Sequence, residues 1–388
     1  MNIKEYVKDV YEDIVRIRRE IHRHPEIGMD CPVTSALIQS ELKKENIPFT
    51  VTDSYGVIAQ IKGKKSDSDS IVMLRADMDA LCIQENTNLE YKSEIEGKMH
   101  ACGHDLHTAM LIGSAKVLNR ISDSFSGTVR LIFQPGEEIG QGARHMIENG
   151  AMENVKMGLG IHTDPLRKVG TINAKTGPDW AAVDHFYINL KGVSAHGATP
   201  HKGKDALVAA SSLVMNLQSL VSRECNPMQP LVVTVGKLNA GTAYNIIAEE
   251  ALLEGTCRSF DTEVYEKLPE AFERVVNSIA KAYDIKAELK FDRASKPLIN
   301  SEEAYNVLKE TAYKTLESKD KFELAVPEMI GEDFSEYCEL APCVFAHLGC
   351  DAGYPLHSSY INFKEEAMLT GMEIEVQFAL DALEYLNK

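Results

Sequence analysis

The chain has 388 residues, 41 Lys plus Arg against 58 Asp plus Glu for a formal charge of −17, and is 44% hydrophobic and 26% charged. At roughly 100–200 residues per domain this length supports about two domains with a sizeable core, and the composition excludes collagen-like repetition and wholesale disorder. An acidic balance without a basic cluster argues against a nucleic-acid binder, which must neutralise phosphates with Lys and Arg, and against an anionic membrane surface.

The start, MNIKEYVKDVYEDIVRIRRE, is amphipathic and charged, with no apolar signal-peptide core. Apolar residues recur every three or four positions from Ile3 to Arg23, which predicts a packed helix. Lys64 to Ser70 (KKSDSDS) reads as a surface turn between strands. Short apolar runs at Ile71 to Leu74, Val129 to Phe133, Gly158 to Ile161 and Val344 to Leu348 read as buried strands, with a helical stretch over 104–120. Their alternation indicates an α/β layered domain.

The middle differs. Residues 183–191, 231–238, 251–259 and 285–291 read as strands, and 205–222 and 263–282 as helices, giving the order βαββαβ of a small ferredoxin-like two-layer module. This module is expected at 179–293, inserted into a discontinuous larger domain of 1–178 and 294–388. The crossings fall near Gly177-Pro178 and Ser295-Lys296-Pro297. A last helix is predicted over Phe363 to Leu386, where Met368, Leu369, Met372, Val376, Ala379, Leu380, Leu383 and Leu386 share one stripe. No internal repeat is present, and no apolar run approaches the roughly 18–20 residues that span a bilayer. The eight cysteines lack compact disulfide spacing and read as reduced thiols of a cytoplasmic protein.

The densest chemistry lies in His100-Ala101-Cys102-Gly103-His104-Asp105-Leu106-His107, which follows a loop and opens a helix. Thiolate and imidazole suit borderline metals such as zinc, and one intervening residue lets Cys102 and His104 face a common centre. Alone, the pair is equally compatible with a buried thiol and helix-start polar groups. Phe133-Gln134-Pro135-Gly136-Glu137-Glu138 adds paired carboxylates where an apolar strand ends, the edge at which α/β sheets build sites. Adjacent carboxylates repel when both are ionised, so one is expected to hold a cation while the other serves proton transfer. His162 ends another apolar strand and His357 lies in a loop after the strand ending near Gly349. Asp77 and Asp79 close a further strand, as metal ligands, as carboxylates orienting a ligand imidazole, or as capping residues.

ADMDAL, HACGHDLHTAM, FQPGEE, GVSAHGATPHKGKDA, GTAYNII, GTCRSF, GEDFS and the late LHSS run in order over nearly the whole chain. Together they resemble the amidohydrolase branch of the aminoacylase and carboxypeptidase metallopeptidases, which includes hippurate hydrolases, N-acetyl-diaminopimelate deacetylases and auxin-conjugate hydrolases. The resemblance implies a zinc-exopeptidase-like catalytic domain with a central mixed sheet and an inserted lid that also carries a homodimer contact. It implies two divalent metal ions per subunit, zinc foremost, with manganese, cobalt or nickel as alternatives. Cys102, His104, Glu138, His162 and His357 match the metal ligands, Glu137 the general base, and Asp79 the carboxylate that orients a ligand side chain. His196 matches a lid histidine that reaches an active site, and Asn245 and Arg258 match lid residues that hold a substrate carboxylate. Asp77 stands where the wider superfamily often has a ligand histidine, with His104 as compensation.

The resemblance implies hydrolysis of the amide bond of N-acyl amino acids, with acetyl, benzoyl or similar acyl groups, and these residue types suit that chemistry. Divalent cations on those ligands would supply the Lewis acidity for a water and the carbonyl, with Glu137 expected to carry the proton to the departing amine, His196 the candidate oxyanion donor and Arg258 the grip on the carboxylate. A dipeptidase or small exopeptidase of the same family is the alternative, and a binding protein that has lost catalysis is a third possibility, against which the intact Glu137 speaks. Cys82, Ser359 and Thr163-Asp164-Pro165-Leu166 depart from the family pattern in loops expected to border the metal centre. Trp180, the only tryptophan, is expected either to line the acyl pocket or to pack at the hinge.

Overall fold

Ile3, Val7, Val10, Ile14, Ile17 and Ile21 recur at alternating steps of four and three residues, and all are buried along one side of the first helix, α1 (Ile3–Arg23). The computed structural model describes residues 2–388. Helix α2 (Pro32–Lys44) follows, then strands β1 (Phe49–Val51), β2 (Val57–Lys62) and β3 (Ile71–Asp77). After α3 (His104–Arg120) come β4 (Thr128–Gln134), α4 (Gly142–Glu148), β5 (Val155–Asp164), β6 (Ile172–Ala174) and β7 (Gly177–Pro178). Next are β8 (Ala182–Lys191), α5 (Ala206–Ser219), β9 (Leu231–Ala240), β10 (Glu250–Ser259), α6 (Thr262–Ala282) and β11 (Lys286–Ser295). The chain finishes with β12 (Ile299–Asn300), α7 (Glu302–Thr315), β13 (Phe322–Leu324), α8 (Ser335–Cys338), β14 (Cys343–Gly349) and α9 (Ala367–Leu386).

The fold is mixed α/β. Two compact units are formed, one from the chain up to Asp179 with Ile299–Val326 and Asp333–Lys388, the other from Trp180–Leu298 with Pro327–Glu332. The short return of Pro327–Glu332 to the smaller unit is absent from the sequence reading, because nothing in its composition distinguishes it from a loop.

The larger unit is built on an eight-stranded sheet of order β1-β2-β4-β3-β5-β14-β6-β13. β3 lies parallel between β4 and β5, and β5 pairs parallel with β14, whereas β2 and β6 run antiparallel to β4 and β14. The register sets Asp77 opposite Gln134 and His162 opposite His347. Polar residues are thereby delivered to the carboxyl edge of the parallel strands, where α/β sheets form their crevices. Helix α3 is buried over nearly its whole length, and a Cβ on Gly113 would meet Met372 Sδ at 2.2 Å, so the glycine lets α9 approach. Helix α9 starts at Ala367 instead of Phe363: Lys364 N–H bonds to Cys350 O at 3.1 Å, and Ile361 and Phe363 are buried in irregular chain ahead of the helix.

The smaller unit pairs its strands as β11-β8-β10-β9, all antiparallel. Alternate residues Phe186, Ile188 and Leu190 of β8 join Leu213, Leu217, Leu253 and Phe272 in a core separate from that of the larger unit. Asp205 and Asp261 cap α5 and α6 by accepting backbone N–H groups from Leu207 and Val208, and from Val264. β11 extends past the expected residue 291 because pairing with β8 continues to Ser295 opposite Val183. Among the described residues, no helix is long and apolar enough to cross a membrane.

Candidate metal centre

Five segments of the larger unit bring donor atoms together. β3 runs into Asp77 and Asp79, the turn before α3 holds Cys102, and α3 opens with His104 after Gly103, whose φ of +93° suits a residue without a side chain. β4 runs into Gln134-Pro135-Gly136 and then Glu137 and Glu138, with Gly136 at φ +73° making the bend. β5 carries His162 two residues before its end. His357, at φ +63°, is held in its loop by its N–H bond to Ala101 O at 3.0 Å.

The donor atoms of Cys102, His104 and His162 lie within 4.8 Å of one another, and so do those of Cys102, Glu138 and His357 and those of His104, Glu137 and Glu138. Cys102 Sγ is 3.4 Å from His162 Nε2, and Glu138 Oε1 is 3.8 Å from His104 Nε2 and 3.7 Å from His357 Nε2. Glu137 Oε2 lies 4.0 Å from His104 Nε2. The tautomers are set from behind: His104 Nδ1 donates to Asp79 O at 2.9 Å and His162 Nδ1 to Thr163 O at 2.8 Å, so each Nε2 is left as the donor atom for a ligand. His104 Nε2 and Glu138 Oε1 are buried with no hydrogen-bond partner among the described residues. Orphaned buried polar atoms are costly, and a divalent cation coordinated by thiolate, imidazole and carboxylate would satisfy both.

Asp79 holds the paired glutamates through their backbone, Oδ1 accepting Glu137 N–H at 3.1 Å and Oδ2 accepting Glu138 N–H at 3.3 Å. Asp77 is engaged differently, with Oδ2 accepting from Arg75 Nη1 at 2.6 Å and Oδ1 from His107 Nδ1 at 2.6 Å. His107, which the sequence reading left unassigned, lies near His104 and Asp77 in a further donor cluster. Its Nε2 accepts Thr163 N–H at 2.9 Å, however, so both of its nitrogens are spent within the protein. Arg75 and Gln134 were likewise missed. Arg75 Nη2 donates to Asp333 Oδ1 at 2.9 Å, Arg75 Nε to Gln134 Oε1 at 2.9 Å, and Gln134 Nε2 to both oxygens of Asp333 at 2.8 and 2.9 Å, all in the buried interior. Arg75 is a charge inside the apolar run IVMLRAD, which marks it as unusual without naming its distant partner Asp333.

The electrostatics favour positive charge at the centre. Burial lowers the affinity of His104 for a proton, but the Asp77 charge, the hydrogen bond to Asp79 and the Glu138 charge overcome it and raise its pKa to about 10. Burial opposes ionisation of Asp77, yet His104, Arg75 and His107 hold it well below the usual carboxylate range. Burial, followed by the charges of Glu138 and Glu137, pushes the Cys102 thiol well up. Burial is also the main cause that raises Glu138 and lowers His162 and His107.

Of the loop residues that depart from the family pattern, Ser359 anchors Asn86, its carbonyl accepting Asn86 N–H at 2.9 Å and its hydroxyl Asn86 Nδ2 at 3.1 Å. Cys82 is an exposed free thiol. In the smaller unit, His196 is bridged to Ile246, and the next N–H, of Gly197, donates to Asn245 O at 2.7 Å, so His196 and Asn245 lie on neighbouring segments. Arg258 stands on β10, its Nη1 donating to Cys257 O at 2.9 Å. Trp180 is buried, and its carbonyl accepts Leu298 N–H at 2.9 Å.

The family model for peptidase family M20/M25/M40 matches residues 73–381. The N-acetyl-L-cysteine deacetylase of Bacillus subtilis (strain 168) is 40% identical over 92% of this chain and 85% of its own length. IAA-amino acid hydrolase ILR1-like 4 of Arabidopsis thaliana is 35% identical over 96% of this chain and 86% of its own. The crystal structure of Bacillus subtilis YXEP protein, a dinuclear metal binding peptidase from the M20 family, superposes with a TM-score of 0.84 at 34% identity, covering 97% of this chain and 99% of that one.

Proposed function

The chain belongs to peptidase family M20/M25/M40, and on that premise we propose that it is a metal-dependent amidohydrolase that cleaves the amide bond of N-acyl amino acids, releasing a carboxylic acid and a free amino acid. One observation carries this: a carboxylate, Glu137, stands 4.0 Å from His104 Nε2, beside the orphaned Glu138 Oε1, on a turn fixed by Asp79. A site for binding alone has no use for that second carboxylate.

Cys102, His104, Glu138, His162 and His357 would hold two divalent cations, zinc foremost, with manganese, cobalt or nickel able to occupy the same donors. When bound, such ions supply the Lewis acidity that lowers the pKa of a water and polarises the amide carbonyl. Glu137 accepts the proton from the attacking water and returns it to the nitrogen that leaves. Asp79 keeps Glu137 and Glu138 in place by holding their N–H groups, and its carbonyl fixes the ring of His104.

We assign the lid to residues 179–293, nearly all of which fall in the smaller unit with its own sheet and core, and to it the substrate contacts: His196 donates to the oxyanion, and Asn245 and Arg258 hold the free carboxylate. The same module carries the homodimer contact in this proposal. Eight cysteines without compact disulfide spacing fit a cytoplasmic setting. A panel of N-acetyl and N-benzoyl amino acids and dipeptides, incubated with protein loaded in turn with zinc, manganese, cobalt or nickel and assayed for released amine, tests the function. Turnover of N-acyl amino acids is expected, and no turnover of any substrate with any metal would overturn it.

A further inference from the structure

Thr163 follows His162 in the stretch that departs from the family pattern, and all three of its polar groups are used inside the protein. It is 1% exposed. Its N–H donates to His107 Nε2 at 2.9 Å, its carbonyl accepts from His162 Nδ1 at 2.8 Å, and its hydroxyl donates to Cys102 O at 2.8 Å. The backbone contacts act along β5 and toward α3, whereas the hydroxyl alone reaches the turn that bears Cys102. The fit is close on that side too, because a Cβ on Gly103 would sit 2.6 Å from Thr163 Oγ1. The chain of contacts continues from His107 to Asp77 and Arg75, all buried.

We infer that Thr163 is a positioning residue for the cation site: its hydroxyl, bonded to the Cys102 carbonyl, and its backbone, bonded to His162 and His107, clamp two ligand-bearing segments at a fixed separation. The two clamped segments present Cys102 Sγ and His162 Nε2 3.4 Å apart. Preorganised donors bind more tightly than donors that must be gathered, and loss of an outer hydrogen bond on a ligand typically weakens metal binding about 10–100-fold. A hydroxyl is required, since a methyl in its place offers the Cys102 carbonyl no donor. This inference rests on the assignment of Cys102 and His162 as ligands.

The test compares wild type with Thr163→Val, which keeps the volume and removes the hydroxyl, and Thr163→Ser, which keeps the hydroxyl. Zinc affinity is read by chelator competition, and the thiolate charge-transfer band is read after loading with cobalt. Thr163→Val is expected to bind zinc about 10-fold more weakly and to shift the cobalt band, with Thr163→Ser restoring both. Should Thr163→Val not fold, judged by thermal unfolding of the metal-free proteins, Thr163→Ala removes the same hydroxyl and takes its place. Cys102→Ser and His162→Gln serve as ligand controls. If they weaken zinc binding while the hydroxyl-free variant matches wild type, the role given to Thr163 is overturned. Should the controls themselves bind zinc like wild type, the ligand assignment is wrong and the clamp falls with it.

Discussion

Asp79 Oδ1 accepts the backbone N–H of Glu137 at 3.1 Å, while its other oxygen takes the neighbouring N–H of Glu138 at 3.3 Å. A carboxylate can do this because both of its oxygens are acceptors; an amide has only one. Asp79→Asn should therefore turn an NH₂ group toward a backbone N–H and loosen the turn. The expected result is a fall in kcat/KM of about 10–100-fold with little change in far-UV circular dichroism. Wild-type kinetics in this variant would remove Asp79 from the support of the turn.

Glu137→Gln preserves shape and hydrogen-bonding reach while removing the basic oxygen. Metal content by elemental analysis should be unchanged, and turnover should fall by at least about 10²-fold, the scale of losing a general base. Near-normal turnover would require another proton carrier.

Arg75 lies between Asp77 and Asp333 with all three side chains buried. Replacing it with Met leaves two buried carboxylates without their shared cation, and breaking a buried pair in this way typically costs about 3–5 kcal/mol. Urea unfolding should show the midpoint displaced by an amount on that scale. A midpoint within error of wild type would mean that the acids are neutralised some other way.

Glu375 is buried on α9, and burial raises its pKa to about 8 against the lowering effect of its hydrogen bond from Ser114 Oγ at 2.6 Å. The folded protein thus binds a proton here that the unfolded chain has already released between about pH 4.5 and 8. By linkage, this residue makes stability fall as pH rises through that window. Glu375→Gln removes the titration, so the variant should gain thermal midpoint over wild type at pH 8 compared with pH 5. An identical difference at both pH values would show that Glu375 does not titrate there.

The parts of this fold visible in the sequence are those with local causes. The four-and-three spacing from Ile3 to Ile21 names a helix by itself, and the apolar runs within β3, β4 and β5 lead into residues that meet at the centre. His104 and Glu138 were legible because thiol, imidazole and paired carboxylate form an unusual set at strand ends. Arg75 and Thr163 were not, because their roles depend on partners distant in the chain: Asp333 for the former, and Cys102, sixty-one positions earlier, for the latter. Threonine on an apolar strand looks like ordinary β propensity. The onset of α9 was misread for a similar reason, since the bond from Lys364 to Cys350 overrides a stripe that begins at Phe363.

β14 lies between β5 and β6, although it is translated more than 160 residues after the start of either. A growing polypeptide that has emerged only as far as the smaller unit therefore has a gap in the middle of its main sheet, with two strand edges waiting for a neighbour not yet made. His357 arrives later still. A chain stopped before Cys343 would lack both that strand and the loop that bears His357.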